Sequence, residues 1–282
     1  MILVFGANGQ VGRHLARMDG TRALSRDEAD LSDPGACARA IRDARPDAVI
    51  NAAAYTAVDK AEEDEARATT VNGDSPGAMA RAAADLGVPI VQISTDYVFQ
   101  GTGTVPYCTN DATAPLGAYG RSKLAGEKAV RAAGGTHAIL RTSWVFAGHG
   151  ANFVRTMLRL SQTRDRLAIV ADQVGGPTPA GAIAEATLAM AHRLIAAPSA
   201  SGTYHFSGAP DVSWADFARA IFAEAGRAVT VEDIPGASYP TPAARPANSR
   251  LDCSDTKAAF GLTRPDWRAA LGPVIREIEA TP

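Results

Sequence analysis

Tyr119 and Lys123 are four residues apart in Tyr119-Gly120-Arg121-Ser122-Lys123. On a helix that spacing puts both side chains on one face, one turn apart. A phenol with an ordinary pKa of about 10 can give a proton to a ketone oxygen held beside it. An ammonium one turn away favours the phenolate, which predicts a Tyr119 pKa lowered towards working pH. The same ammonium can reach the ribose of a nicotinamide cofactor. The chemistry indicated is carbonyl reduction. A Tyr-x-x-x-Lys pair also arises by chance on exposed helices, so its weight depends on what stands near it.

Thr95 supplies that company. The stretch Ser94-Thr95-Asp96-Tyr97-Val98-Phe99 follows an apolar run at 90–94 that reads as a strand. In open α/β sheets ligands bind beyond the carboxyl ends of the strands. Thr95 can therefore offer its hydroxyl to the same carbonyl oxygen as Tyr119; the alternative is a strand-end cap. Asp96 is expected to bind substrate hydroxyls or a main-chain turn. Asn51-Ala52-Ala53-Ala54-Tyr55-Thr56 ends an earlier strand. Its small side chains, Ala53 and Ala54 among them, would let a flat cofactor lie against the backbone. Asn72 is a candidate support for the Tyr119–Lys123 pair.

A dinucleotide site is indicated at the start of the chain. Gly6-Ala7-Asn8-Gly9-Gln10-Val11-Gly12 follows the apolar run at 2–5 and opens a helix. The spacing is G-x-x-G-x-x-G. Gly6 would permit the tight turn, Gly9 the approach of a pyrophosphate, and Gly12 close packing of helix on strand. NAD-preferring folds place an acid roughly 20 residues on, against the ribose hydroxyls. Here Leu24 is followed by Ser25 and Arg26. A guanidinium suits a 2′-phosphate, which favours NADPH. Asp27 and Glu28 stand close by, so use of NADH stays open. Asp30 and Leu31 are expected to flank the adenine.

Strands and helices must alternate to hold these groups. Short apolar runs at 2–5, 22–25, 48–51, 90–94 and 137–142 alternate with helical patterns at 11–18, 34–43, 74–86 and 119–132. This rhythm predicts an α/β fold, a Rossmann-like doubly wound parallel sheet with helices on both faces. After about residue 145 the rhythm loosens. Helices are expected at 152–162, 180–195, 214–224 and 265–278, a short strand at 203–206, and an ordered Pro- and Ala-rich loop at 235–249. The expected division is a cofactor-binding domain at 1–147 and a smaller, mainly substrate-binding α/β part at 148–282. Some later elements are expected to return to the first sheet.

Composition excludes several classes. With 282 residues the chain can bury a core without staples. A net charge of −2 gives no basic footprint for nucleic acid. Cys37, Cys108 and Cys253 are odd in number and widely spaced, so neither a disulfide framework nor a zinc site is indicated. The opening Met1-Ile2-Leu3-Val4-Phe5-Gly6 has no signal-peptide pattern, and no apolar run is long enough to span a membrane. A cytoplasmic location is expected.

Taken together, GANGQVG, NAAAYTAVDKAE, STDYVFQGTG, YGRSKLAGE, RTSWVFAGHGANF and RPANSRLD resemble the extended short-chain dehydrogenases/reductases. More narrowly they resemble the dTDP-4-dehydrorhamnose reductases, from Met1 to about Trp267. The resemblance implies reduction of the C4 ketone of dTDP-4-dehydro-L-rhamnose to dTDP-L-rhamnose by NAD(P)H. It implies that Tyr119 gives the proton, Lys123 tunes Tyr119 and holds the ribose, and Thr95 polarises the carbonyl. It also implies cofactor contacts from Gly9, Gln10, Val11, Asp30, Leu31, Ala54, Tyr55 and Thr56. Thr95, Asp96 and Trp144 would contact the sugar nucleotide, Trp144 by covering one sugar face. Asn152, Gln173, Arg245 and Asn248 are candidates for the nucleotide end, and Arg245 is the best match for a diphosphate.

One departure stands out. Some members of that family dimerise around Mg²⁺ held by glutamates. The matching positions here are His14 and Gly181, which carry no carboxylate. No Mg²⁺ bridge or other metal is expected, and a monomer or weak homodimer follows. Closure of the 101–113 region over substrate is a conjecture. Three alternatives remain at this point. One is a reductase for another nucleotide-linked 4-keto-6-deoxy sugar. Another is an epimerase or dehydratase that recycles NAD⁺. The last is a non-catalytic subunit resembling the regulatory subunit of methionine adenosyltransferase.

Overall fold

The chain was analysed as a computed structural model, which describes residues 1–280. Ile2–Phe5 forms β1, Thr21–Leu24 β2, Ala48–Asn51 β3, Ile90–Thr95 β4 and His137–Thr142 β5. With the strand Gly202–His205 they build a six-stranded sheet. Its order is Gly202–His205, β5, β4, β3, β1, β2, and every pairing is parallel. The order reverses between β1 and β3, and that switch point is where an open sheet leaves a crevice for a ligand.

Both faces of the sheet are covered, as the buried runs of β1 and β3 require. On one face Val4, Ile50, Val91 and Leu140 pack with Leu15 and the helix Ala180–Ala196. On the other, Leu3, Phe5, Val49 and Ile139 pack with Ile41, Met79 and Ala82 from the helices Pro34–Ala44 and Ser75–Asp85. Spatial and sequential divisions do not coincide. Ala180–Ala196 and Gly202–His205 belong to the first core, although they lie beyond residue 147.

A second core gathers Phe146, Val154, Leu167, Phe217, Ile221, Trp267 and Ile275. It sits under the helices Phe153–Leu160, Trp214–Glu224 and Trp267–Ala280. Two strands the periodicity did not indicate, Arg166–Val170 and Thr230–Ile234, pair in parallel at its edge. Alternation there is weak and both strands are largely exposed. Helix Ser254–Phe260 was also not anticipated.

Other boundaries moved. The first helix is Gln10–Leu15, ended early by turns at Ala16–Met18 that lead into Gly20. The helix expected at 74–86 is the last part of a longer helical run. It begins at Glu65, passes through a π-helical stretch at Thr70–Asp74 and continues as Ser75–Asp85. The 235–249 loop holds a short turn at Gly236–Ser238 and a two-residue strand, Asn248–Ser249. Among the described residues no helix is long and apolar enough to cross a membrane.

Candidate active site

The glycine loop folds as its spacing requires. Gly6 has φ +97°, and a Cβ there would lie 2.8 Å from Ala53 N, so the turn presses on the end of β3. A Cβ on Gly12 would meet Gly6 O at 1.9 Å. Nothing larger than glycine lets the helix Gln10–Leu15 sit this close to the turn. Gly9 caps that helix with no side-chain hydrogen bond, which leaves the first turn open to a ligand. Ala53 and Ala54 are half-buried, and Tyr55 and Thr56 continue the wall outwards. This cradle fits a dinucleotide. Val11 and Leu31, however, turn their side chains into the packing on opposite faces of the sheet. Little of either side chain is left exposed. The Asp30 carboxylate is engaged by Ser32 N at 2.8 Å, and that bond holds its pKa below the usual range. Arg26 is exposed just past β2, and Glu28 is turned back onto Ser25 N.

Thr95 ends β4 and Tyr119 opens the helix Ala118–Ala132. The Thr95 hydroxyl stands near enough to the phenol to favour its ionised form. Thr95 Oγ1 also accepts from Tyr97 N at 3.2 Å and donates to Asp96 Oδ1 at 3.0 Å. It is thus a strand-end cap as well as a neighbour of Tyr119. To polarise a carbonyl, its proton must turn away from Asp96. Asp96 is buried, and its Oδ2 has no hydrogen-bond partner. Burial pushes the carboxyl up to about 6, against the pull of nearby hydroxyls on Ser249 and Thr95. An orphaned buried oxygen beside Tyr119 is an acceptor waiting for a donor.

The expected lowering of the Tyr119 pKa does not occur. Burial pushes it up to about 12; the Thr95 hydroxyl pulls the other way and the Asp96 charge adds to the rise. Lys123 gives one N–H to Ile93 O at 2.6 Å, and its own pKa is lowered to about 8 by burial, with Glu127 opposing. The ammonium is spent on the strand end rather than on the phenol, whose pKa is governed by burial.

Asn72 lies in the π-helical stretch, where an extra residue per turn aims side chains differently from an α-helix. Its Oδ1 accepts from Tyr55 N at 2.8 Å, and its Nδ2 donates to Tyr55 O and Ser122 Oγ, both at 3.0 Å. It fastens the cofactor wall to the Tyr119–Lys123 helix. One turn past Lys123, Glu127 is fully buried. It accepts from Arg141 Nε at 2.8 Å and Nη2 at 2.7 Å, from Ser94 Oγ at 2.7 Å and from Arg131 at 2.8 Å. Sequence reasoning missed Glu127, Arg141, Asp59 and Glu62. The i, i+4 continuation from Lys123 to Glu127 was the one local signal available.

Trp144 has φ +49°, rare for a bulky residue and a place where strain is held at a site. Its ring stacks on Trp214 with centroids 3.5 Å apart. One face is therefore taken, and a Cβ on Gly175 would lie 3.0 Å from Cε2 of the ring, which leaves the indole half-buried. The Asn152 side chain is engaged within the protein. Its Oδ1 caps the helix Phe153–Leu160, and its amide donates to Gln10 Oε1 at 2.9 Å, beside the glycine loop. Asn248 gives its amide to Thr102 O and Val105 O. That bond, the Tyr107–Leu251 bridge and the stack of Tyr107 on Phe99 pin the 101–113 region. The region is anchored at Thr102, Val105 and Tyr107. Gln173 and Arg245 line a cavity of about 350 Å³ with Tyr239, Thr241 and Ala243. His14 lies against His149, with ring centroids 5.5 Å apart, and burial lowers its pKa, with the His149 charge adding to the shift.

Residues 1–280 match the family model described as the RmlD substrate binding domain. A dTDP-4-dehydrorhamnose reductase of Burkholderia thailandensis is 50% identical, over 98% of this chain and 98% of that protein. One from Sinorhizobium fredii is 49% identical, over 94% of this chain and 93% of that protein. The crystal structure of the dTDP-4-dehydrorhamnose reductase from Bacillus anthracis in complex with NADP matches with a TM-score of 0.90 at 33% identity, over 98% of each chain.

Proposed function

This chain belongs to the RmlD substrate binding domain family, and from that premise we propose that it reduces the C4 ketone of dTDP-4-dehydro-L-rhamnose to dTDP-L-rhamnose. The observation that carries the reading is the meeting of Thr95, Tyr119 and Lys123 at the carboxyl end of β4, beside a glycine cradle. Gly9, Gln10 and the Ala53–Thr56 backbone would hold NADPH and Arg26 would suit its 2′-phosphate; once bound, the cofactor would supply the hydride for C4.

Tyr119 enters the reaction with its proton in place, because a phenol pushed up to about 12 stays neutral at working pH. It releases that proton when the ketone oxygen becomes an alkoxide, a stronger base. Thr95 turns its hydroxyl from Asp96 to the same oxygen. The freed Asp96 carboxylate then accepts a sugar hydroxyl, which satisfies its orphaned atom. Lys123 keeps one N–H on Ile93 O and has two left for the ribose hydroxyls. Trp144 borders the sugar with the part of its ring that its neighbours leave exposed.

Residues 1–147 are assigned mainly to cofactor and 148–282 mainly to substrate. Three free cysteines support a reducing, cytoplasmic setting. The absence of carboxylates at His14 and Gly181 supports a monomer or weak homodimer without a metal bridge.

The test is loss of reduced-nicotinamide absorbance on adding dTDP-4-dehydro-L-rhamnose, with NADPH and NADH in parallel. Wild type should turn over, and Tyr119→Phe should lose roughly 10²–10⁴-fold in kcat while still binding NADPH. No turnover by folded wild type with verified substrate refutes the substrate. Full turnover by Tyr119→Phe refutes the mechanism.

A further inference from the structure

Arg245 and Asp59 are 186 residues apart in sequence yet form a two-pronged ion pair. Arg245 Nη1 donates to Asp59 Oδ1 at 3.1 Å and Nη2 to Oδ2 at 2.8 Å. Asp59 Oδ1 also accepts from Ala243 N at 3.2 Å. One carboxylate thus fixes both the guanidinium and the backbone two residues before it.

Asp59 is itself firmly held. It lies on the short helix Val58–Ala61, directly after the cofactor wall. On one side Asn72 clamps Tyr55 through its N–H and its carbonyl. On the other side Glu62 Oε1 accepts from Ala118 N at 2.8 Å, at the start of the Tyr119–Lys123 helix. The anion therefore has a fixed position relative to the catalytic groups.

Counting the guanidinium donors shows what this fixing does. Arginine has five N–H groups in a plane. Two bonds go to Asp59 and a third, from Nη1 at 3.2 Å, goes to Ala243 O. The Nε–H and one Nη2–H remain. They run parallel along one edge, the arrangement that takes a phosphate with two bonds at once. Arg245 lines the 350 Å³ cavity and is about one-quarter exposed. Ala243, which lines the same cavity, stands 4.0 Å from where a Cβ on Gly117 would lie, two residues before Tyr119, so the cavity adjoins the start of the Tyr119–Lys123 helix.

A carboxylate this close would repel a diphosphate if it met one directly. We infer that Asp59 is a positioning residue: it orients Arg245 so that the open Nε–Nη2 edge receives the diphosphate of the nucleotide sugar. This inference rests on the substrate proposed above. It ties substrate affinity to the cofactor side of the cleft through one ion pair.

The test uses dTDP alone, titrated into the full chain by calorimetry, with NADPH titrated separately. Asp59→Ala should weaken dTDP binding by about tenfold or more, the size of a lost charge-assisted bond. NADPH affinity should stay within twofold in every variant, which reports an intact fold and cofactor site. Asp59→Asn keeps one acceptor and should fall between wild type and Asp59→Ala. In turnover, Asp59→Ala should raise the KM for sugar nucleotide with kcat largely kept. Because Asp59 acts through Arg245, the double variant Asp59→Ala/Arg245→Ala should bind dTDP no more weakly than Arg245→Ala alone. The inference is overturned if Asp59→Ala binds dTDP like wild type, or if its loss is as large without Arg245 as with it. If wild type fails to bind dTDP at all, the substrate reading falls and the inference falls with it.

Discussion

Removing the charge of Glu127 while keeping its shape, as in Glu127→Gln, is expected to act on both stability and pH profile. In the native chain burial works to raise the Glu127 pKa. The hydrogen bonds and charge of Arg141 outweigh this, helped by Ser94 and Arg131, and the carboxyl ends below its ordinary 4.5. Glu127 is fully buried and the Arg141 side chain 2% exposed, so solvent screens this pair little. Arg131 is more than one-third exposed and adds little. Leaving Arg141 buried without its anion should destabilise the protein by about 3–5 kcal/mol. At roughly 2 °C per kcal/mol for a chain of this size, Tm should fall by about 6–10 °C near neutral pH. A depressed carboxyl pKa contributes stability above its unfolded value and loses it as pH falls through the folded one. The gap between wild type and variant should therefore narrow below about pH 4.5. The second effect reaches Lys123, whose pKa is lowered to about 8 by burial with the Glu127 charge opposing. Without that charge the ammonium is held less well, so the alkaline fall of kcat/KM should move to lower pH. Thermal melts across pH and pH–rate profiles of both proteins supply the readouts. A Tm drop under 2 °C at neutral pH would refute the buried-pair argument. An alkaline limb that stays in place or moves upward would refute the coupling to Lys123.

Other perturbations follow from the same geometry. Gly12→Ala would drive a methyl group into Gly6 O, so the helix must shift; melts should show about 1–3 kcal/mol of destabilisation, and fluorescence titration should show weakened NADPH binding. Arg26→Ala should lower kcat/KM with NADPH by about tenfold and leave NADH nearly unchanged if, as proposed, the exposed guanidinium binds the 2′-phosphate that NADH lacks. Equal effects on both cofactors would rule out that role. Trp144→Phe should raise the KM for sugar nucleotide several-fold without changing NADPH affinity, as the smaller ring stacks on Trp214 but offers less exposed ring. An unchanged KM would place the sugar elsewhere.

The local parts of this protein were legible in order of how local they are. Four-residue spacing put Tyr119 and Lys123 on one helical face, and the glycine spacing marked a turn that the close approach of Gly6 and Gly12 bears out in shape. Apolar runs marked β1, β3, β4 and β5 to within a residue, because a strand buried on both faces needs continuous apolar side chains. What depended on partners distant in sequence was not legible. Nothing near residue 203 says that Gly202–His205 joins β5, and nothing near Arg245 points to Asp59. The exposed pair Arg166–Val170 and Thr230–Ile234 has little alternation to read. Asn152 and Asn248 were plausible ligand groups by type, but each amide is consumed by backbone or by Gln10. The clearest division concerns Tyr119. Its position and its partner Lys123 follow from spacing along one helix, a short-range property of the chain. Its pKa rises instead of falling because Ala61, Ala68 and Tyr97, brought from other elements, pack about its ring with the Asp96 charge nearby, and desolvation is set by everything that packs there, whatever its place in the sequence.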